Sequence, residues 1–207
     1  MTQKQKQAKH AAEHRHMRNR LLDIYAGADT ETREAGRLWY PSAEGVIASL
    51  ADSHGIGRPR VAGIVAVLSP QQRWRTNVRS ARAILDGEDW LVAGYAQNRA
   101  KAKALLDGAP VLAVIGGDKV TSFWANLIGS RTAVTIDTWA QRAALGRLHP
   151  HQPKGVRYQR LVRAYRSAAD MVGETAREFQ AIVWFATRPA AEHDRDWRLI
   201  HHGATAS

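Results

Sequence analysis

The chain has no cysteine among its 207 residues. This excludes a disulfide, an iron–sulfur cluster and a thiolate nucleophile, and it suits a reducing compartment. Long apolar runs are missing too. Nothing approaches the roughly 18 consecutive apolar residues of a membrane-spanning helix, so no membrane partner is expected. The N-terminus is charged from Lys4 onward and lacks the apolar core of a secretion signal. The expected location is the cytoplasm. Acidic residues are few relative to basic ones, 19 against 30, which leaves a net charge of +11. Such an excess attracts polyanions, of which nucleic acid is the commonest inside cells. An anionic membrane surface fits less well, because no long basic helix carries a lipid-seeking face.

Alternating strand pairs joined by hairpin turns are also absent, and helical periodicity remains. With 44% hydrophobic and 24% charged residues, the chain has ordinary globular proportions and the length for one well-buried domain. The fold class expected is all-α. The expected organisation is a basic segment over residues 1–20, read as a frayed helix or a flexible arm, a single helical domain over 21–190 and a tail over 191–207. His10, His14 and His16 in the arm read as surface residues without a carboxylate or thiol framework around them; no metal and no cofactor is expected.

Helical spacing and punctuation divide the domain. Trp39-Tyr40-Pro41 predicts a break, followed by a helix over 44–54 that Gly55 to Pro59 stops. Residues 61–68 read as a buried helix, and Pro70 fits the first turn of an amphipathic helix over 71–85 carrying Arg73, Arg75, Arg79 and Arg82. A second basic helix spans 97–106, with Arg99, Lys101 and Lys103. Helices at 158–172 and 176–187 follow, ended by Gly173 and by Arg188-Pro189.

Residues 111–145 hold the chemistry. Gly116-Gly117 make a turn, Lys119 opens a helix, and Val134-Thr135-Ile136 lead to Asp137 at the start of another helix. Consecutive N–H groups at a turn entering a helix form an anion site. Asp137 taken alone reads as an N-cap, and Lys119 alone as a solvated lysine. Gln71 and Gln72 likewise fit the surface of a first turn, and Trp184 fits an apolar core.

Three places together resemble the helix-hairpin-helix (HhH-GPD) DNA glycosylase superfamily, of the endonuclease III and 8-oxoguanine glycosylase type. Leu68-Ser69-Pro70-Gln71-Gln72 is similar to a family motif that ends a buried helix and supplies a wedge into DNA. Gly117-Asp118-Lys119-Val120 and Val134-Thr135-Ile136-Asp137 match the family's hairpin, lysine and aspartate in order and spacing. Phe179-Gln180-Ala181-Ile182-Val183-Trp184 resembles a helix that presents a glutamine and, four residues later, an aromatic ring to a flipped base. The Leu-Pro-Gly entry of the family hairpin is replaced here by Ala113-Val114-Ile115, and Trp139 stands where the 8-oxoguanine branch has a histidine. The base is therefore not carried over.

The resemblance implies a two-lobed helical fold and a monomer that flips a modified base out of double-stranded DNA. Asp137 would stabilise positive charge on the sugar, and Lys119, if desolvated enough to be a neutral amine, would form a Schiff base. Gln180 and Trp184 would hold the base. Gln71 and Gln72, with Asn98 nearby, would fill the gap, while Gly116, Gly117, Arg73, Arg75, Arg79 and Lys101 would meet phosphates. Two alternatives stay open: a phage-type transferase that hypermodifies a base on the same fold, and a non-catalytic DNA-binding module.

Overall fold

The computed structural model describes residues 2–92, 94–147, 149 and 151–189; the tail expected at 191–207 lies outside them. Every regular element among the described residues is a helix. The chain divides into two compact units, one comprising Met1–Tyr40 with Arg131–His193 and the other centred on Pro41–Ser130. The stretch expected to form one domain over 21–190 is thus split between them.

The first unit begins with α1, Gln3–Gly27. Thr2 starts it with a capping box, its hydroxyl accepting from Gln5 N while the Gln5 side chain accepts from Thr2 N at 2.8 Å. Residues 3–20, expected as a frayed helix or an arm, are part of this helix. Its last three turns carry Met17, Leu21 and Tyr25 into the core. α1 packs against α8 (Thr138–Leu145), α9 (Gly155–Val172) and α10 (Ala176–Thr187). Leu21, Ile136, Tyr158, Tyr165, Phe179 and Ile182 fill the space between them, with Tyr25 stacked on Phe179 at 5.3 Å.

The break expected at Pro41 is not a helix end. α2 runs from Thr30 to His54 with Pro41 inside it. A proline there removes one helical hydrogen bond, a cost of about 3 kcal/mol. Burial of Ala35 and Tyr40 before it, and of Ala43, Ile47 and Leu50 after it, offsets that cost. The proline does mark a boundary in packing, since the division between units falls between Tyr40 and Pro41.

In the second unit α3, Arg58–Leu68, is the central element, with every residue from Val61 to Leu68 buried. Such all-round burial requires neighbours on each side. They are α4 (Trp74–Leu85), α5 (Ala96–Leu106), α6 (Val111–Val114) and α7 (Asp118–Leu127). Pro70 does not open α4, as the sequence suggests. Gln72 N instead donates to Ser69 O at 3.1 Å, closing a tight turn with Pro70 second and Gln71 third. That third position takes φ = +62° at Gln71, a conformation usually left to glycine or asparagine. Gln71, Gln72 and Arg73 therefore precede the helix, and Arg73 is its N-cap residue.

Candidate active site

Asp137 is the N-cap of α8. Its Oδ1 accepts from Ala140 N at 2.8 Å, and its Oδ2 accepts from Trp184 Nε1, also at 2.8 Å. Both the plain cap reading and a placed carboxylate are realised in one side chain, because the tryptophan of α10 fixes the oxygen that the cap leaves over. Asp137 and Trp184 are each half-buried. The Arg188 guanidinium lies over the Trp184 ring, 4.5 Å from its centroid, so one face of the ring is covered and its N–H is engaged.

One helical turn earlier on α10, Gln180 is 4% exposed. The Tyr40 hydroxyl donates to Gln180 Oε1 at 3.0 Å and lies 3.2 Å from Thr135 Oγ1. The amide is thereby oriented, with Oε1 towards Tyr40 and the NH2 end turned away from it. Thr135 stands two residues before Asp137, so Tyr40 ties the extended lead-in of the aspartate to the helix that bears the glutamine.

Tyr158 braces the same lead-in from below. Its buried hydroxyl accepts from Ile136 N at 3.1 Å and donates to Val134 O at 2.8 Å, which satisfies two backbone groups that no strand partner serves. Tyr165 donates to Ala140 O at 2.9 Å. Burial pushes the Tyr165 phenol well above its ordinary range, and the negative charge of Asp137 adds to the effect. Neither Tyr40 nor Tyr158 carries a sequence signal for this role. Each is a long-range partner that only the fold brings to Asp137.

The structure thus gathers Asp137, Trp184 and Gln180 from the sequence-predicted set, all in the first unit. Trp139, at the position of the family histidine, is half-buried with Arg142 5.2 Å over its ring. The other expected residues lie in the second unit. Lys119 is half-buried as the second residue of α7. Gly117, the N-cap, has φ = +79°, and a side chain added at Gly116 or Gly117 would meet nothing within 4 Å, so the turn is open. Asp118 supplies negative charge to the first turn of α7, the place a phosphate would occupy.

Gln71 is exposed, and the Tyr95 hydroxyl donates to its Oε1 at 2.6 Å. Gln72 is turned inward, with its Oε1 3.5 Å from the Ser80 hydroxyl. Arg73, Arg75 and Arg79 are exposed on and before α4, while Lys101 on α5 and Asn98 are half-buried. Phe123 on α7 is buried, and Trp124 is half-buried with its Nε1 donating to Pro59 O at 2.9 Å.

Among the described residues no group of three or more His, Cys, Asp or Glu side chains could hold a metal ion, and no helix is long and apolar enough to cross a membrane. Neither the curated proteins nor the solved structures yield a match to this chain. One family model spans residues 3–191, and the chain belongs to that family, a family of unknown function (DUF7178).

Proposed function

We propose that this protein is a DNA base-processing enzyme of the N-glycosylase type, with a two-lobed HhH-GPD-like fold, acting as a cytoplasmic monomer on a modified base flipped from double-stranded DNA. The observation that carries the reading is Asp137, held at the start of α8 by Ala140 N and Trp184 Nε1, with Gln180 one turn away on the same helix as Trp184. Breaking an N-glycosidic bond builds positive charge on the sugar. A carboxylate whose position is fixed in advance stabilises that charge without reorganising. The Gln180 NH2 would donate to an acceptor on the base edge, since Tyr40 holds the amide oxygen. Trp184 acts chiefly as a positioning residue for Asp137, and offers the base only the ring face that Arg188 leaves uncovered.

Flipping costs a few kcal/mol, and the strained, exposed Gln71 suits the wedge that would replace the lost stacking. A lyase step, with the Lys119 amine forming a Schiff base, is a separable part of the proposal. The test is to incubate the protein with DNA carrying varied base modifications and to analyse nucleosides and free bases by mass spectrometry. Release of a base by the wild type, lost in Asp137→Asn, is the expected result. A borohydride-trapped adduct lost in Lys119→Gln would add the lyase step. A base altered but not released would overturn the glycosylase reading in favour of transfer chemistry, and binding with no product on any substrate would leave a non-catalytic module.

A further inference from the structure

The positive charge of the chain is unevenly held. Residues 2–40 and 131–189 of the first unit contain 18 Lys and Arg against 9 Asp and Glu, whereas residues 41–130 contain 10 against 7. The cause is an acid-free run. Between Asp137 and Asp170 there is no acidic residue, but there are seven Lys and Arg together with His149 and His151.

The fold gathers this charge on the outer side of α9. The inner side is Tyr158, Leu161, Val162, Tyr165 and Ala169, and the outer side carries Arg160, Arg163 and Arg166 at a spacing of three, with Lys154 and Arg157 at the helix start. Steps of three keep successive side chains neighbours on one helix surface. α1 packs along α9, and Arg160 reaches across to it, with Nη2 3.1 Å from His10 Nε2 and Nη1 3.9 Å from Glu13. His149 is held below its ordinary imidazole range by burial first, and next by the charges of Arg157 and Arg147.

The first turns of α1 supply a second observation. Residues 3–13 are exposed and present Lys4, Lys6, Lys9 and His10, with Glu13 as their one acid. A capped helix that is polar all round has no core to support it, and short helices are marginal in water unaided. A surface laid against this stretch must be negative. It must also be something other than a bilayer, because the apolar residues between 3 and 16 are Ala8, Ala11 and Ala12, too small to anchor in lipid.

We infer that the α1–α9 face binds the phosphate backbone of duplex DNA. At 1.5 Å per residue the 18 residues of α9 extend about 27 Å, the length of roughly eight base pairs. The preference for DNA over another polyanion rests on the proposed function; the attraction to phosphate does not. The test is the salt dependence of binding to a fluorescein-labelled 20-base-pair duplex, read by anisotropy for the full chain. Each lost phosphate contact lowers the slope of log K against log salt by about 0.9.

Lys6→Gln, Lys9→Gln, Arg157→Gln and Arg163→Gln combined should therefore reduce the slope by about 3.6, with helix content unchanged by circular dichroism. Asp137→Asn should keep the wild-type slope whether or not it abolishes product, so failure of the chemistry and failure of the surface are told apart. A quadruple variant with wild-type slope and affinity overturns the inference. So does a slope accounted for wholly by Arg73→Gln, Arg75→Gln and Arg79→Gln, or tighter binding to phosphatidylserine vesicles than to duplex at the same salt.

Discussion

Tyr158→Phe removes one oxygen atom and, with it, the partners of two buried backbone groups. Val134 and Ile136 are 1% and 0% exposed, so no water replaces the hydroxyl that now joins Val134 O and Ile136 N. A buried polar group left unpaired costs about 1–3 kcal/mol, and two of them about 2–6 kcal/mol. Against a total stability of roughly 5–15 kcal/mol this is a large fraction, and for a chain of this size it corresponds to a fall in Tm of roughly 4 to 24 °C. Tyr165→Phe is the internal control. It deletes an equally buried hydroxyl that serves a single carbonyl, Ala140 O, which lies inside α8, so its cost should stay near 1 kcal/mol. Urea unfolding followed by circular dichroism gives the difference. Hydrogen exchange locates it, because the Ile136 amide should lose protection in Tyr158→Phe and keep it in Tyr165→Phe. If the two variants are equally destabilised, or if Ile136 exchanges as slowly without the Tyr158 hydroxyl as with it, then the segment leading to Asp137 is held by something other than this tyrosine and the reasoning fails.

Other substitutions probe separate links. A Cβ at Gly36 would sit 2.5 Å from Ile182 Cα and 2.6 Å from Ile182 N, so Gly36→Ala must push backbone from backbone and should destabilise by about 1–3 kcal/mol or more in thermal melts. Gln71→Gly relieves φ = +62° and should raise stability by about 1 kcal/mol while weakening any base-flipping signal from 2-aminopurine DNA; a loss of stability would mean that the Tyr95 bond outweighs the strain. His54 donates through Nδ1 to Leu50 O and through Nε2 to Asp86, both at 2.8 Å, and the Asp86 bond, followed by the Leu50 bond, raises its pKa above the ordinary 6.5. A raised folded-state value contributes stability that is complete below about pH 6.5 and disappears as pH rises through the folded pKa. Urea midpoints measured from about pH 5.5 to 8.5 should fall over that window in the wild type and lie flatter in Asp86→Asn.

Local signals were readable in the sequence because the groups they join are neighbours in the chain. Gly173 ends α9 in a left-handed conformation, and Asp137 caps α8, each within about four residues of its partner. Pro41 and Pro70 mark no helix boundary where the sequence suggests one, for one shared reason: a proline fixes φ and removes a donor, but whether a helix stops there depends on what is packed around it. At Pro41 buried residues on both sides carry the helix through, while at Pro70 the Ser69 carbonyl captures Gln72 N and delays α4 to Trp74. The tyrosines carry no local signal because their partners are far away, Tyr40 reaching Thr135 and Gln180 across 95 and 140 residues and Tyr158 reaching Ile136 across 22. No periodicity marks such a pairing. Asp137 and Gln180 could be picked out by residue type and spacing, yet neither residue sets its own geometry. The direction in which the Gln180 amide faces is decided by Tyr40, and the path of the chain into Asp137 is decided by Tyr158. If the base edge is read by Gln180, its selectivity for an acceptor belongs to Tyr40 as much as to the glutamine, and a sequence that kept Gln180 but replaced Tyr40 would free the amide to turn and present its oxygen instead.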